Sequence, residues 1–243
     1  MPGLTNKVSG LIFLLLLTAA FLPAPSAKEQ VAILRWSEGQ PGCTFSADDD
    51  GKYRYGLWTD SFGITIAVDS QELRKAVSRL APLFALWLTV HYRGADSLEL
   101  TPGAISLEFV KHEHDVERSS DPESIAARLQ AQAEAFAEAT QREIRKHPEQ
   151  KTEKEAALQS HLLEVQQTEQ FLRTRSLPVL TLGPAQAEAS GWVFFNARNK
   201  WIGDWRAQEE FVLRIPVGHQ VVEFPFALPP SEGDLLLRRR GPQ

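Results

Sequence analysis

The chain has 243 residues, with 26 Lys or Arg against 31 Asp or Glu, for a formal net charge of −5. Apolar residues make up 43% and charged residues 23%, which excludes wholesale disorder. The acidic balance excludes the basic stripe of a dedicated nucleic-acid binder, and a single Cys excludes an intrachain disulfide framework and a multi-cysteine zinc site.

Residues 1–27 read as a signal peptide. Lys7 supplies a short positive flank, and Leu11 to Leu22 form a mostly apolar run of about twelve residues, where a bilayer span needs about 20. Pro23 and Pro25 end the run, and small residues lead to an expected cut after Ala27. The competing reading is an uncleaved N-terminal anchor. No other stretch is long and apolar enough to cross a membrane. Export implies a secreted or periplasmic protein in an oxidising compartment, where Cys43 is a leftover thiol. Its readings are a small buried hydrophobe, an intermolecular bridge or a reactive thiol, and no base stands beside it in sequence.

From 31 to about 115 the pattern is strands and turns. Thr44-Phe45-Ser46 leads through Asp48-Asp49-Asp50-Gly51 into Tyr53 to Trp58, a hairpin signal because Gly accepts positive φ. A calcium loop is disfavoured, since Lys52 stands where the third ligand would fall. Ile64 to Val68 is a β-prone run, and Ser70 to Leu80 is ambiguous, with weak helical spacing. From Phe84 to Tyr92 the residues alternate, with Phe84, Leu86, Leu88, Val90 and Tyr92 on one face and Trp87, Thr89 and His91 on the other. Leu98 to Leu100, a Pro102-Gly103 turn and Ile105 to Val110 continue the β pattern.

The block from 119 to 176 is helical. Ser120 is the expected N-cap, with Glu123 completing a capping box and Pro122 in the first turn. Ile125, Leu129, Ala133, Phe136, Thr140 and Ile144 form one narrow stripe. His147-Pro148 ends it, and a second helix carries Leu158, Leu162, Val165 and Leu172. Two such helices should pair as an antiparallel hairpin that projects from the body. Its stripe is either consumed between the two helices or continues into an oligomer or partner helix.

Strands return from 177 to 230. Gly191 opens Trp192 to Phe195, a turn-rich loop follows, and Phe211 to Pro216 and Val221 to Phe226 close the block, with the prolines marking edges or strand ends. Residues 231–243 read as a disordered basic tail ending Arg238-Arg239-Arg240. Neither β block alone makes a buried sandwich, but together they supply about seven to nine strands. The expected fold is therefore mainly β with an α insertion: an Ig-like β-sandwich formed by 31–118 and 177–230, interrupted by an antiparallel α-helical hairpin over 119–176.

Two segments resemble secreted bacterial Ig-like modules of the mycobacterial immunoprotective extracellular antigen type. The first is Ala85 to Gly94 with Leu98 to Pro102 and Ile105 to Glu108, and the second is Ser190 to Phe195 with the two closing strands. The resemblance implies an exported, non-enzymatic sandwich and carries over no functional residues, because the family has no common catalytic site. The helical hairpin departs from the family pattern.

Chemistry is sparse. His112-Glu113-His114-Asp115 would place His112 and His114 on one side if strand geometry continued from Phe109, with His91 or His219 as a third metal ligand. The competing reading is a solvated turn. No Gly-x-Ser-x-Gly elbow, phosphate loop or dinucleotide fingerprint is present, and no cofactor is expected. The loop holding Arg198, Lys200, Trp201, Trp205 and Arg206 is the best binding candidate, because stiff indoles beside cations suit protein contacts or sugar stacking. Otherwise both indoles cap the open end of the sandwich. The sequence thus favours a non-catalytic binding or structural protein with a protein or envelope partner. The alternatives are a metal-binding protein or metal-dependent hydrolase at His112 and His114, and a periplasmic chaperone or assembly factor using the hairpin as an arm.

Overall fold

The computed structural model describes residues 31–47, 51–69, 83–196 and 208–228. The expected signal peptide, the three-aspartate stretch, the ambiguous Ser70 to Leu80 segment, the Trp201/Trp205 loop and the basic tail lie outside the described residues.

Period-two alternation sets the architecture. In β5 (Leu83–Tyr92) Phe84, Leu86, Leu88 and Val90 are fully buried on one face, as expected. β4 (Phe62–Asp69) buries Ile64, Ile66 and Val68 in the same way. These strands join β2 (Cys43–Ala47), β3 (Lys52–Trp58) and β10 (Glu188–Asn196) in a five-stranded antiparallel sheet of order β10-β5-β4-β3-β2. Gly51, at φ +78°, sits just before β3 and supplies the left-handed backbone expected of the β2–β3 turn.

A second five-stranded sheet runs β1-β12-β11-β7-β8, built from β1 (Ala32–Arg35), β7 (Ser106–Phe109), β8 (Asp115–Arg118), β11 (Glu209–Val217) and β12 (Gln220–Leu228). It is antiparallel except where β1 runs parallel to β12. Strands from before and after the helices enter both sheets, so the two β blocks form one body. The inner faces of the sheets share one apolar core. Phe84 stacks on Phe211 across it with ring centroids 5.9 Å apart, and Tyr55 meets Phe226 at 6.0 Å. Each fully buried side chain of this size contributes about 2 kcal/mol. At the edge, Trp36 follows β1 and donates its Nε1–H to the Thr44 carbonyl of β2 at 3.0 Å, tying one sheet to the other. A short ribbon of β6 (Leu98–Leu100) and β9 (Leu180–Leu182) adds Leu98, Leu100 and Leu182 to the core. The two main sheets hold ten strands among the described residues, more than the seven to nine expected, because β1 and β8 are too short to read from alternation.

The prolines correct a detail. Pro216 and Pro225 lie in β11 and β12, both interior strands. Each stands beyond the end of one neighbour: β7 reaches only Arg214, and β1 reaches only Glu223. A missing N–H therefore costs little there.

The helices are α1 (Pro122–Lys146) and α2 (Lys151–Arg175), joined by a 3₁₀ turn at Pro148–Gln150. The N-cap is Asp121, not Ser120. The Asp121 carboxylate accepts from the Ser124 N–H at 3.0 Å and from the Ser124 hydroxyl at 2.8 Å. Ser120 instead donates its N–H to the Phe194 carbonyl at 2.7 Å, so the chain is still paired with β10 when it passes that residue. At the other end Leu177 donates to the Trp192 carbonyl at 2.9 Å. Both roots of the hairpin are thus pinned to β10, an edge strand whose unpaired groups they cover.

Candidate functional site

The hairpin meets the body in a second apolar cluster. Ile125, Ala126, Leu129 and Ala133 of α1 and Val165 and Leu172 of α2 join Leu83 and Ala85 of β5 and Phe194 of β10, on the outer face of their sheet. The α1 stripe was legible, but Phe136 departs from it at 41% exposed, its ring tilted against that of His161 with centroids 4.5 Å apart. In α2, Val165 and Leu172 are buried as expected, while Leu162 is 42% exposed. Leu163, outside the stripe, is 54% exposed. A shallow groove of about 360 Å³ runs between the helices, lined by Gln130, Ala133, Ala137, Leu162 and Val165 with Glu134 and Glu169 at its rim. Further along α1 a second shallow groove is bordered by Glu138, Arg142 and Arg145.

The histidine pair lies in a turn and not on a continued strand. The strand stops at Phe109, and the backbone turns back by Asp115, whose N–H bonds the His112 carbonyl at 3.0 Å. Glu113 and His114 hold left-handed φ values of 56° and 59°. The two imidazoles consequently reach different carboxylates. His112 Nε2 lies 2.9 Å from Glu209 Oε2, and His114 Nδ1 lies 2.5 Å from Glu108 Oε1. His91 sits on the other sheet, 3.3 Å from Glu188. His219 lies in the β11–β12 turn. Among the described residues no group of three or more His, Cys, Asp or Glu is placed to hold a metal ion. Cys43 is half-buried against the core, and its sulfur accepts from the Ser37 N–H at 3.5 Å.

No family model matches the chain, and no curated protein or solved structure matches it.

Sequence reasoning missed a charged ladder on the outer face of the β1-β12-β11-β7-β8 sheet. Arg35 Nη1 donates to Glu223 at 2.8 Å, Arg214 Nε donates to Glu223 at 2.9 Å, and Arg214 also binds Glu108, which holds His114. Glu108 and Glu223 are buried. Burial pushes the Glu108 carboxyl up, but the hydrogen bonds from His114 and Arg214 outweigh it and hold the group below its ordinary range. Burial acts against the Arg214 charge, yet its bonds to Glu108 and Glu223 raise its pKa further. The available signal was a charge at the polar phase of two adjoining apolar strands, Arg214 in one and Glu223 in the next. The arrangement is a self-satisfied structural clamp whose charges face one another.

Proposed function

We propose that the chain is an exported, non-catalytic binding or structural protein built as an Ig-like sandwich, contacting a protein or envelope partner through its helical hairpin and the Trp201/Trp205 loop. Strand order supports the Ig-like part. β5 lies beside β10 as B lies beside E in that fold, and β7, β11 and β12 lie together as C, F and G do, with β8 added beyond β7 as C′. The hairpin then falls between C′ and E, where an ordinary module places a strand, and it covers the β10 edge in that strand's stead. The resemblance to secreted modules of Ala85 to Gly94, Leu98 to Pro102 and Ile105 to Glu108, and of Ser190 to Phe195, Phe211 to Pro216 and Val221 to Phe226, together with the apolar run from Leu11 to Leu22, supports export.

The observation that carries the contact role is the half-exposed apolar surface of the hairpin outside its root, at Phe136, Leu162 and Leu163. A helix pair needed only to cover β10 would end within the cluster at Ala133 and Val165. This one continues past Ala133 for about 20 Å at 1.5 Å per residue. A photo-crosslinking amino acid placed at Leu162 or Leu163 in the full chain, with the exposed Glu99 as a control, tests the reading in cells that export the protein. One discrete adduct from the hairpin positions and none from Glu99 is expected. No adduct from either hairpin position removes the contact role. Recovery of the protein in the cytoplasmic fraction with residues 1–27 intact removes the export role.

A further inference from the structure

The outer face of the β10-β5-β4-β3-β2 sheet carries a feature that the hairpin leaves uncovered. Register aligns its outward residues in rows. One row runs Glu188, His91, Gly63, Trp58, and the next runs Ser190, Thr89, Thr65, Gly56, Thr44. Five strands at about 4.8 Å spacing make the second row roughly 19 Å long.

Trp58 lies flat on this face. A Cβ built on Gly63 would come within 2.1 Å of Trp58 Cε3 and 2.2 Å of Cζ3, and one on Gly56 would come within 3.1 Å of Trp58 Nε1. The indole therefore spans two glycines and rests against the backbone, and any side chain at Gly63 would lift it. The His91 ring continues the surface, its centroid 5.3 Å from that of the indole and its plane tilted by only 25°. The exposed Arg93 guanidinium lies over the indole, its carbon 5.7 Å from the ring centroid. Glu188 is bonded to His91 yet keeps 59% of its side chain exposed. Beside the rings, Thr65 and Thr89 present hydroxyls at half-buried positions.

We propose that this shelf binds a neutral sugar chain, with a pyranose ring taking the place of the exposed Arg93 guanidinium on Trp58, next to His91, and its hydroxyls bonded by the displaced Arg93, Glu188 and the threonine row. The pyranose face carries C–H groups with partial positive charge, which meet the negative face of a flat indole. Its edge carries hydroxyls that both donate and accept, and the shelf supplies a cation, a carboxylate and hydroxyls around one flat surface. Both charge signs are present, with Arg93 over the indole and Glu188 beside His91. That balance suits an uncharged ligand and not a phosphate or an acidic peptide, which would need cations alone. The extended row suits a chain more than a single sugar. This face is separate from the hairpin tip, so the proposal goes beyond the partner-binding reading and does not rest on it.

Calorimetric titration of the full chain with cellohexaose, chitohexaose and maltohexaose tests the assignment. At least one neutral hexasaccharide should bind, with affinity about tenfold weaker in Trp58→Ala and several-fold weaker in Arg93→Ala. Arg93 is exposed, so Arg93→Ala should keep the wild-type melting temperature. If Trp58→Ala does not fold, Arg93→Ala and His91→Ala decide. Absence of heat with all three sugars overturns the proposal. So does binding that none of these variants weakens, or binding of a protein to the shelf that the sugars fail to displace.

Discussion

Arg214 faces Glu223 directly across the β11–β12 ladder, and its Nε–H donates to Glu223 Oε1 at 2.9 Å. The same guanidinium holds Glu108 on the other side, and these two glutamates are 6% and 7% exposed. Removing the arginine leaves the buried Glu223 with Arg35 alone and the buried Glu108 with His114 alone, whereas removing all three groups leaves no buried charge. Arg214→Ala should lose about 3 kcal/mol of unfolding free energy in urea, and the triple variant Arg214→Met, Glu108→Leu, Glu223→Leu should recover most of it.

Acid should weaken the same clamp. The folded-state pKa of Glu108 is held below its ordinary value of 4.5 by His114 and Arg214 against the opposing effect of burial, and that of Asp121 is held down by the Ser124 hydroxyl and N–H. A carboxyl lowered in this way contributes stability that is complete above its unfolded pKa and lost as pH falls through its folded one. Urea midpoints should therefore drop on acidification below about pH 4.5, whereas near neutrality these groups contribute in full and add no pH dependence. Glu108→Gln should flatten part of that acid slope. An unchanged slope would mean the clamp does not govern it.

The long apolar strands were legible because burial on one face imposes a strict period of two, as Phe84, Leu86, Leu88 and Val90 do. The hairpin was legible through Pro122, the spacing from Ile125 to Ile144 and the stop at Pro148. Short edge strands such as Ala32–Arg35 were not, since four residues carry too little pattern and their pairing is set by β12 far along the chain. The N-cap slipped by one because Ser120 and Asp121 are both good caps and only the β10 contact decides between them. For His112 and His114 the sequence left a continued strand and a turn both open, because nothing local announces that the strand ends at Phe109; the turn is what forms. The shelf at Trp58 was hidden for another reason: it joins residues from β3, β4 and β5, and only the register brings them together.

That cap can be tested directly. Asp121→Ala removes the acceptor for the first-turn N–H and should cost about 1 kcal/mol. Ser120→Ala keeps its backbone bond to Phe194 and should change stability by less than about 0.5 kcal/mol. The reverse order, read from urea midpoints, would restore Ser120 as the cap.

Gly191 makes room for the hairpin's exit. A Cβ there would sit 2.5 Å from the backbone N and Cα of Leu177 and 2.8 Å from the Ser176 carbonyl carbon. Backbone atoms cannot swing aside as a side chain can, so Gly191→Ala should cost about 2 kcal/mol. Amide exchange should speed up at Leu177, whose N–H bonds the Trp192 carbonyl, before it does so in β5. Wild-type exchange at Leu177 would show that the close approach is not needed.

The root and the far half of the hairpin should respond differently to truncation. Leu129 is 1% exposed in the cluster shared with Leu83, Ala85 and Phe194, so Leu129→Ala opens a cavity between helix and sheet. The expected cost is about 3 kcal/mol, and the loosened hairpin should become the first site cut in limited proteolysis. Phe136 is on the same helix but 41% exposed, with His161 as its ring partner. Phe136→Ala should cost less than about 1 kcal/mol and leave the proteolytic pattern unchanged. Equal costs at the two positions would mean that the far half is held as firmly as the root, and its apolar residues would then be packing and not contact surface.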